Sequence, residues 1–180
     1  MGNYALAILS ILKKQMAQGR RVTVKGGRYP SLAVCDTVVS FNPSHIEKYK
    51  TVCGYRNNPG IPLMYPAMLC SDLQMKLMTM EEFPFPLLGL VHLANSIEQF
   101  EVIDPSKKVG IEVSLDDNII HHEKGYCCNI TGKIISLDKG SLLWKTVITL
   151  LWSACGVPLR IPESINHFPI RAIPPIMGTS

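Results

Sequence analysis

The stretch YPAMLCSDLQMKLMTMEEFPFPLLGLVHLANSI, residues 65–97, decides the fold. Pro66 suits the first turn of a helix, where the missing N–H would have had no partner anyway. From Pro66 to Met80 the residues are rich in Met and Leu. Leu69, Leu73, Leu77 and Met80 recur on one helical stripe, and Met64, Met68, Met75 and Met78 form much of a second. A helix apolar on two faces is predicted to be surrounded rather than laid on a surface. Asp72 and Lys76, four residues apart, make its obvious charged pair. The string Phe83-Pro84-Phe85-Pro86 breaks the helix, and Gly89-Leu90-Val91-His92 opens a β-type segment. An apolar helix feeding directly into long strands predicts a helix wrapped by a sheet.

Outward from this stretch, strands are predicted at 87–102, 108–115, 119–137 and 142–153. Asp104-Pro105, Asp116-Asp117 and Asp138-Lys139-Gly140 supply the turns. The segment 119–137 is too long for one straight strand and should bend or bulge near Gly125. In the last strand Leu142, Trp144, Thr146, Ile148, Leu150 and Trp152 share one face. Upstream, 33–41 reads as a strand. Asn42-Pro43-Ser44 then starts a helix over 45–52 that Cys53-Gly54 closes, and 57–62 is a loop. A short helix is predicted over 4–18, followed by a basic, Gly-rich loop. The chain therefore divides into an N-terminal helix and loop (1–30), one α+β domain (31–155) and an extended tail (156–180) holding five prolines.

Composition excludes several classes. With 180 residues, 47% hydrophobic and 18% charged, the chain can bury a real core and is not disordered over most of its length. A net charge of +4, scattered along the sequence, does not argue for nucleic acid, although a weakly basic surface suits a phosphate-bearing carrier. The six cysteines form no CxxC pair and no Cys/His ligand spacing, so no metal is expected. They read as small apolar residues in a reducing cytosol. The apolar run 4–12 is followed by Lys13 and Lys14 instead of being preceded by them, so it does not read as a secretory signal. The run 142–159 is interrupted by Lys145 and is β-branched at 146–149, which predicts a buried strand and not an integral membrane span. A cytoplasmic protein is expected.

Three strings, HIEKYKTVCGY (45–55), LMYPAMLCSDLQMKLM (63–78) and FPFPLLGLVHLAN (83–95), resemble the MaoC-like hotdog-fold acyl dehydratases and (R)-specific enoyl-CoA hydratases. The likeness runs from about Ala33 to Trp152. It is nearest to the N-terminal, non-catalytic repeat of double-hotdog members. The resemblance implies a hotdog fold, an antiparallel sheet wrapped around a long central helix. It implies an acyl-thioester ligand, acyl-CoA or an acyl-carrier thioester, held in a tunnel beside that helix, with no other cofactor. On that basis Tyr65, Pro66, Met68, Leu69, Leu73, Leu90, His92 and Asn95 are the expected ligand-binding residues. The Met-rich helix then serves both as core and as a lipid-facing wall.

The family's chemistry uses an Asp and a His a few residues apart, in a D-x-N-P-I-H string, as acid and base on water and substrate. The nearest string here is Ser40-Phe41-Asn42-Pro43-Ser44-His45. Asn42, Pro43 and His45 fit the pattern, but Ser40 stands where the Asp belongs, and a serine is no carboxylate base. His45 then reads as an exposed residue in a first helical turn, against a catalytic role. His92 reads as a core histidine bonded to backbone or to a neighbour such as Asn95, against a role at a thioester or a partner subunit. In a regular strand the three-residue offset puts His92 and Asn95 on opposite faces. His121, His122 and Glu123 read as a solvated turn, not a metal site.

Three functions compete. One is a non-catalytic hotdog, the substrate-binding half of a 3-hydroxyacyl-thioester dehydratase or enoyl hydratase system, paired with a catalytic hotdog subunit in a heterodimer. The second is a self-sufficient homodimeric dehydratase or a hotdog thioesterase. The third is an acyl-thioester or lipid sensor without chemistry.

Overall fold

The computed structural model describes residues 28–55, 60–118 and 120–153. The helix expected over 4–18, the basic loop after it and the proline-rich tail lie outside the described residues. In chain order the described elements are β1 (Leu32–Val39), α1 (Pro43–Cys53), α2 (Tyr65–Met78), β2 (Leu90–Gln99), β3 (Val109–Leu115), β4 (Ile120–His122), β5 (Gly125–Ser136) and β6 (Leu142–Ser153). The strands form one antiparallel sheet ordered β1-β3-β5-β6-β2, with β4 paired to β5. The sheet curls over α2, which packs chiefly on β3, β1 and β5. This is the expected α+β hotdog arrangement.

Register sorts the side chains into two faces. Val113 lies opposite Gly132, and Gly132 opposite Thr146, so these three share the face toward α2. That face carries Val109, Ile111, Leu115, Ile130, Ile134 and Trp144, each at most 4% exposed. The other face is stitched by polar pairs. Thr131 donates to Asp116 at 2.9 Å, Thr149 to the Asn129 side chain at 2.9 Å, and Lys133 pairs with Glu112 at 2.7 Å. The alternation in β6 is therefore the physical signature of a sheet with one apolar face.

Gly132 shows how closely the helix approaches. A Cβ added there would sit 2.9 Å from Thr146 Cγ2 and 3.2 Å from Cys70 Sγ. Replacing a strand glycine by alanine ordinarily gains about 0.5–1 kcal/mol. Here the added methyl meets a packed helix, and overpacking costs about 1–3 kcal/mol. Gly132→Ala should therefore lower stability, read as a lower urea midpoint with an unchanged slope. A raised midpoint would show that α2 is not held at this separation.

Several expectations need correction. The central helix is not surrounded. Tyr65, Pro66, Cys70 and Leu77 are buried, and Leu69, Leu73 and Met80 pack partly against the core. The methionine stripe faces outward, with Met64 at 40%, Met68 at 41% and Met75 at 36% exposure. The sheet covers one face of the helix, and no described segment covers the other. Asp72 and Lys76 are both exposed and form no ion pair with each other. The long segment 119–137 does not bend as one strand. It divides into β4 and β5 at the turn Glu123-Lys124, where Gly125 takes φ 151° and a Cβ would run into the Trp152 carbonyl oxygen. Strand β2 is shorter than 87–102, because 87–89 forms a turn and 100–102 leaves the sheet. Cys35 and Cys53 are exposed, whereas Cys70, Cys127 and Cys128 are buried.

Candidate functional site

Local sequence fixes the position of His45. Phe41 is buried, so the chain is anchored as it leaves β1. Asn42 then caps α1, its side-chain oxygen accepting from the His45 backbone N–H at 3.2 Å, and Pro43 occupies the first turn. His45 is exposed, as expected of a residue in a first helical turn. Its ring, however, is not free. Nδ1 lies 3.0 Å from the hydroxyl of Tyr65, the first residue of α2, with ring centroids 5.7 Å apart.

Tyr65 is held from three directions. Its backbone N–H donates to the Pro62 carbonyl at 2.8 Å. The indole N–H of Trp144 donates to the neighbouring Leu63 carbonyl at 2.9 Å. Tyr49 meets the Tyr65 ring edge-on at 5.4 Å and itself stacks on Tyr55 at 6.4 Å. Tyr65 is 1% exposed, and burial pushes its phenol pKa up, so the hydroxyl keeps its proton. Ser40 is exposed, and among the described residues no carboxylate is bonded to His45.

The second histidine sits on β2. The pairing of β2 with β6 slips between His92 and Ala94, a bulge that inserts one residue. His92 consequently lies opposite Leu150 and Asn95 opposite Ile148, positions of the same parity on β6. The expectation that the two point to opposite faces therefore fails, because the regular alternation it assumed is broken between them. His92 is exposed, so it is no core histidine. Its Nε2–H donates to the Ala94 carbonyl at 2.9 Å, which is the backbone bond expected of it. Asn95 accepts from the buried Thr146 hydroxyl at 2.6 Å.

The remaining expected ligand-binding residues scatter. Pro66 is buried, Met68 is exposed, and Leu69, Leu73 and Leu90 are half-buried against the core. Two clefts lie elsewhere. One of about 260 Å³ runs beside α1, lined by Pro43, Ile46, Lys50, Ile61 and Pro105 among others. Another of about 200 Å³ lies among Glu101, Asp104, Lys107, Asp138 and Lys139. Neither includes a residue of the expected ligand-binding set. The structure thus joins His45 to Tyr65 and brings His92 and Asn95 to one face.

Other reactive groups are quiet. Burial pushes the Cys70 and Cys128 thiols up to about 12, where a thiolate is not formed at neutral pH. His121 and His122 end β4 before the turn at Glu123-Lys124, with the His121 ring against Tyr126. Among the described residues no group of His, Cys, Asp or Glu is arranged to hold a metal, and no helix is long and apolar enough to cross a membrane.

The His45–Tyr65 contact was not legible in the sequence. The two residues are twenty positions apart in different elements, and no periodicity links them. The available signal was a tyrosine in the first helical turn of an otherwise aliphatic helix, a polar tip that needs a partner once buried.

No family model matches the chain. The chain is 27% identical over 166 residues to 3-hydroxyacyl-thioester dehydratase X of Mycobacterium tuberculosis, covering 89% of this chain and 58% of that protein. The crystal structure of the same dehydratase, HtdX, superposes with a TM-score of 0.60 at 27% identity, over 68% of this chain and 51% of that one. The C-terminally truncated HadBC (3R-hydroxyacyl-ACP dehydratase) complex of M. tuberculosis gives a TM-score of 0.54 at 9% identity, over 71% of this chain and 98% of that one. The resemblance to MaoC-like hotdog dehydratases thus holds in sequence and in fold. The chain spans between half and three-fifths of the length of the first relatives it matches.

Proposed function

We propose that this chain binds acyl thioesters as the non-catalytic, substrate-binding hotdog of a cytoplasmic 3-hydroxyacyl-thioester dehydratase or enoyl hydratase system. The observation that carries the reading is the placement of Ser40-Phe41-Asn42-Pro43-Ser44-His45. The Asn-Pro cap and the histidine are present, but the position of the carboxylate is a serine, and among the described residues no other carboxylate is bonded to the imidazole. Acid–base addition of water needs one group to take a proton as another gives one. An imidazole bonded to a phenol that keeps its proton can bind an oxygen, but among the described residues it has no carboxylate beside it.

A catalytic hotdog subunit is the partner this reading calls for. The length of the dehydratase relative and the edge strands β1 and β2, each paired on one side only among the described residues, favour a second hotdog beside this one. Ligand contacts are assigned to the outward methionines Met64, Met68 and Met75 with Leu73, and to the β2 positions Leu90, His92 and Asn95.

Two measurements test it. Palmitoyl-CoA titrated into the purified protein should bind. Hydration of trans-2-enoyl-CoA should be slower than that of a hotdog with an intact Asp–His pair by about 10²–10⁴-fold, the usual worth of general acid–base catalysis. Ser40→Asp should restore little, because a catalytic carboxylate must be held within about 0.5 Å by its surroundings. Robust turnover, abolished by His45→Ala or His92→Ala, would instead make the chain a self-sufficient hydratase and name its base.

A further inference from the structure

We infer that Tyr65 fixes His45 in the tautomer protonated on Nε2, so that His45 presents a hydrogen-bond donor, and not a base, to the carbonyl oxygen of an acyl thioester. The ligand class rests on the function proposed above, whereas the tautomer rests on geometry alone. The Tyr65 hydroxyl belongs to a residue 1% exposed, and the partner that the described residues give it is Nδ1 of His45 at 3.0 Å. Two arrangements satisfy that distance. If Nδ1 carried the proton, it would donate to the phenol oxygen, and the phenolic proton would be left buried without an acceptor. If the phenol donates to Nδ1, both groups are satisfied. Buried polar protons are almost always donated, so the second arrangement holds. A neutral imidazole that accepts at Nδ1 carries its hydrogen on Nε2.

The direction of that N–H follows from the same contacts. The Asn42 cap and Pro43 set the backbone of His45, and the first turn of α2 together with the edge of Tyr49 sets the Tyr65 ring. With Nδ1 turned toward Tyr65, Nε2 lies on the far side of an exposed imidazole. A fixed outward donor recognises an acceptor, and the thioester's most exposed acceptor is its carbonyl oxygen. Tyr65 is thus a positioning residue acting through His45. Burial pushes the Tyr65 phenol up, so the hydroxyl retains the proton it donates.

Long-range ¹⁵N–¹H spectra of the imidazoles in uniformly labelled full chain test the tautomer, with the His45 signals assigned by their loss in His45→Ala. Wild type should show Nε2–H at His45. Tyr65→Phe removes one hydroxyl and keeps the ring, and should shift His45 toward a mixture. An Nδ1–H tautomer in wild type, or a spectrum indifferent to Tyr65→Phe, overturns the inference. The donor role is tested with palmitoyl-CoA and with hexadecyl-CoA, the thioether that keeps chain and nucleotide but lacks the carbonyl. One neutral hydrogen bond predicts about 3–10-fold tighter binding of the ester. That preference should vanish in His45→Ala and survive in part in His45→Gln, which retains an N–H donor. Equal binding of ester and thioether by wild type overturns the donor role alone. Failure of palmitoyl-CoA to bind at all overturns the donor role together with the thioester reading.

Discussion

Leu77→Asp should leave the chain unfolded. Leu77 is 0% exposed and belongs to the apolar core. Among the described residues no cation lies within the core to pair with a carboxylate there. It must be buried charged or be protonated at a cost, in addition to the loss of the leucine's own packing. Losing a buried leucine side chain costs about 2–5 kcal/mol, and the stranded polar group adds several more. Domains of this kind hold about 5–15 kcal/mol in total. The expected result is loss of the cooperative thermal transition and of the near-ultraviolet circular dichroism signal. Leu73→Asp is the informative contrast. Leu73 is only half-buried, so its substitution should weaken the fold and leave it standing. Equal damage from both would mean that α2 is covered on its outer side as well.

Trp144→Ala should cost nearly as much. Trp144 is the largest fully buried side chain, 0% exposed on the helix-facing side of β6. Removing a buried tryptophan side chain costs about 3–5 kcal/mol through lost transfer energy and the cavity left behind. The indole N–H also anchors the Leu63 carbonyl just ahead of α2. Its loss frees the segment that delivers Tyr65 to His45. Urea denaturation should show a midpoint lowered in proportion to that loss, with an unchanged slope, and the imidazole spectrum of His45 should broaden where the protein still folds. Trp144→Phe, which fills much of the space but donates nothing, should fall between the two. A Trp144→Ala midpoint close to wild type would show that the segment before α2 is held by other contacts.

Much of the fold was legible because it depends on local signals. The Asn42-Pro43 cap, the Met- and Leu-rich run from Pro66, the Phe-Pro-Phe-Pro break and the alternation of 142–153 each act within a few residues. The structure places α1, α2, β3 and β6 within two or three residues of the expected bounds. What failed was long-range. The exposure of Met64, Met68 and Met75 cannot be told from periodicity, because a stripe facing a partner and a stripe facing a sheet have the same spacing. The bulge at His92–Ala94 depends on how β2 is registered against β6, where His92 meets Leu150 and Ala94 meets Thr149, far along the chain. The break at Glu123-Lys124 was half-read, since Gly125 marked the place but not that the strand ends there. For the site, the string around His45 could be read directly, whereas its tyrosine partner required the fold. The expected ligand-binding residues lie on α2 and β2 and line neither of the two described clefts.

The strand order β1-β3-β5-β6-β2 bears on how this chain is made. As the chain leaves the ribosome, β1 and β2 emerge before any strand they pair with, and α2 before two of the three strands it packs on. β1 waits for β3, β2 for β6, and α2 for β3 and β5. Until about residue 115 is out, the apolar helix and two future edge strands share the same nascent segment, with only each other to cover them. Only the β4–β5 and β5–β6 pairings are local. Chains whose contacts are mostly distant in sequence fold slowly and expose their apolar surface meanwhile. The short turns that join β4, β5 and β6 are thus made after the helices and edge strands, and they close the contacts nearest in sequence, to which everything translated earlier must return.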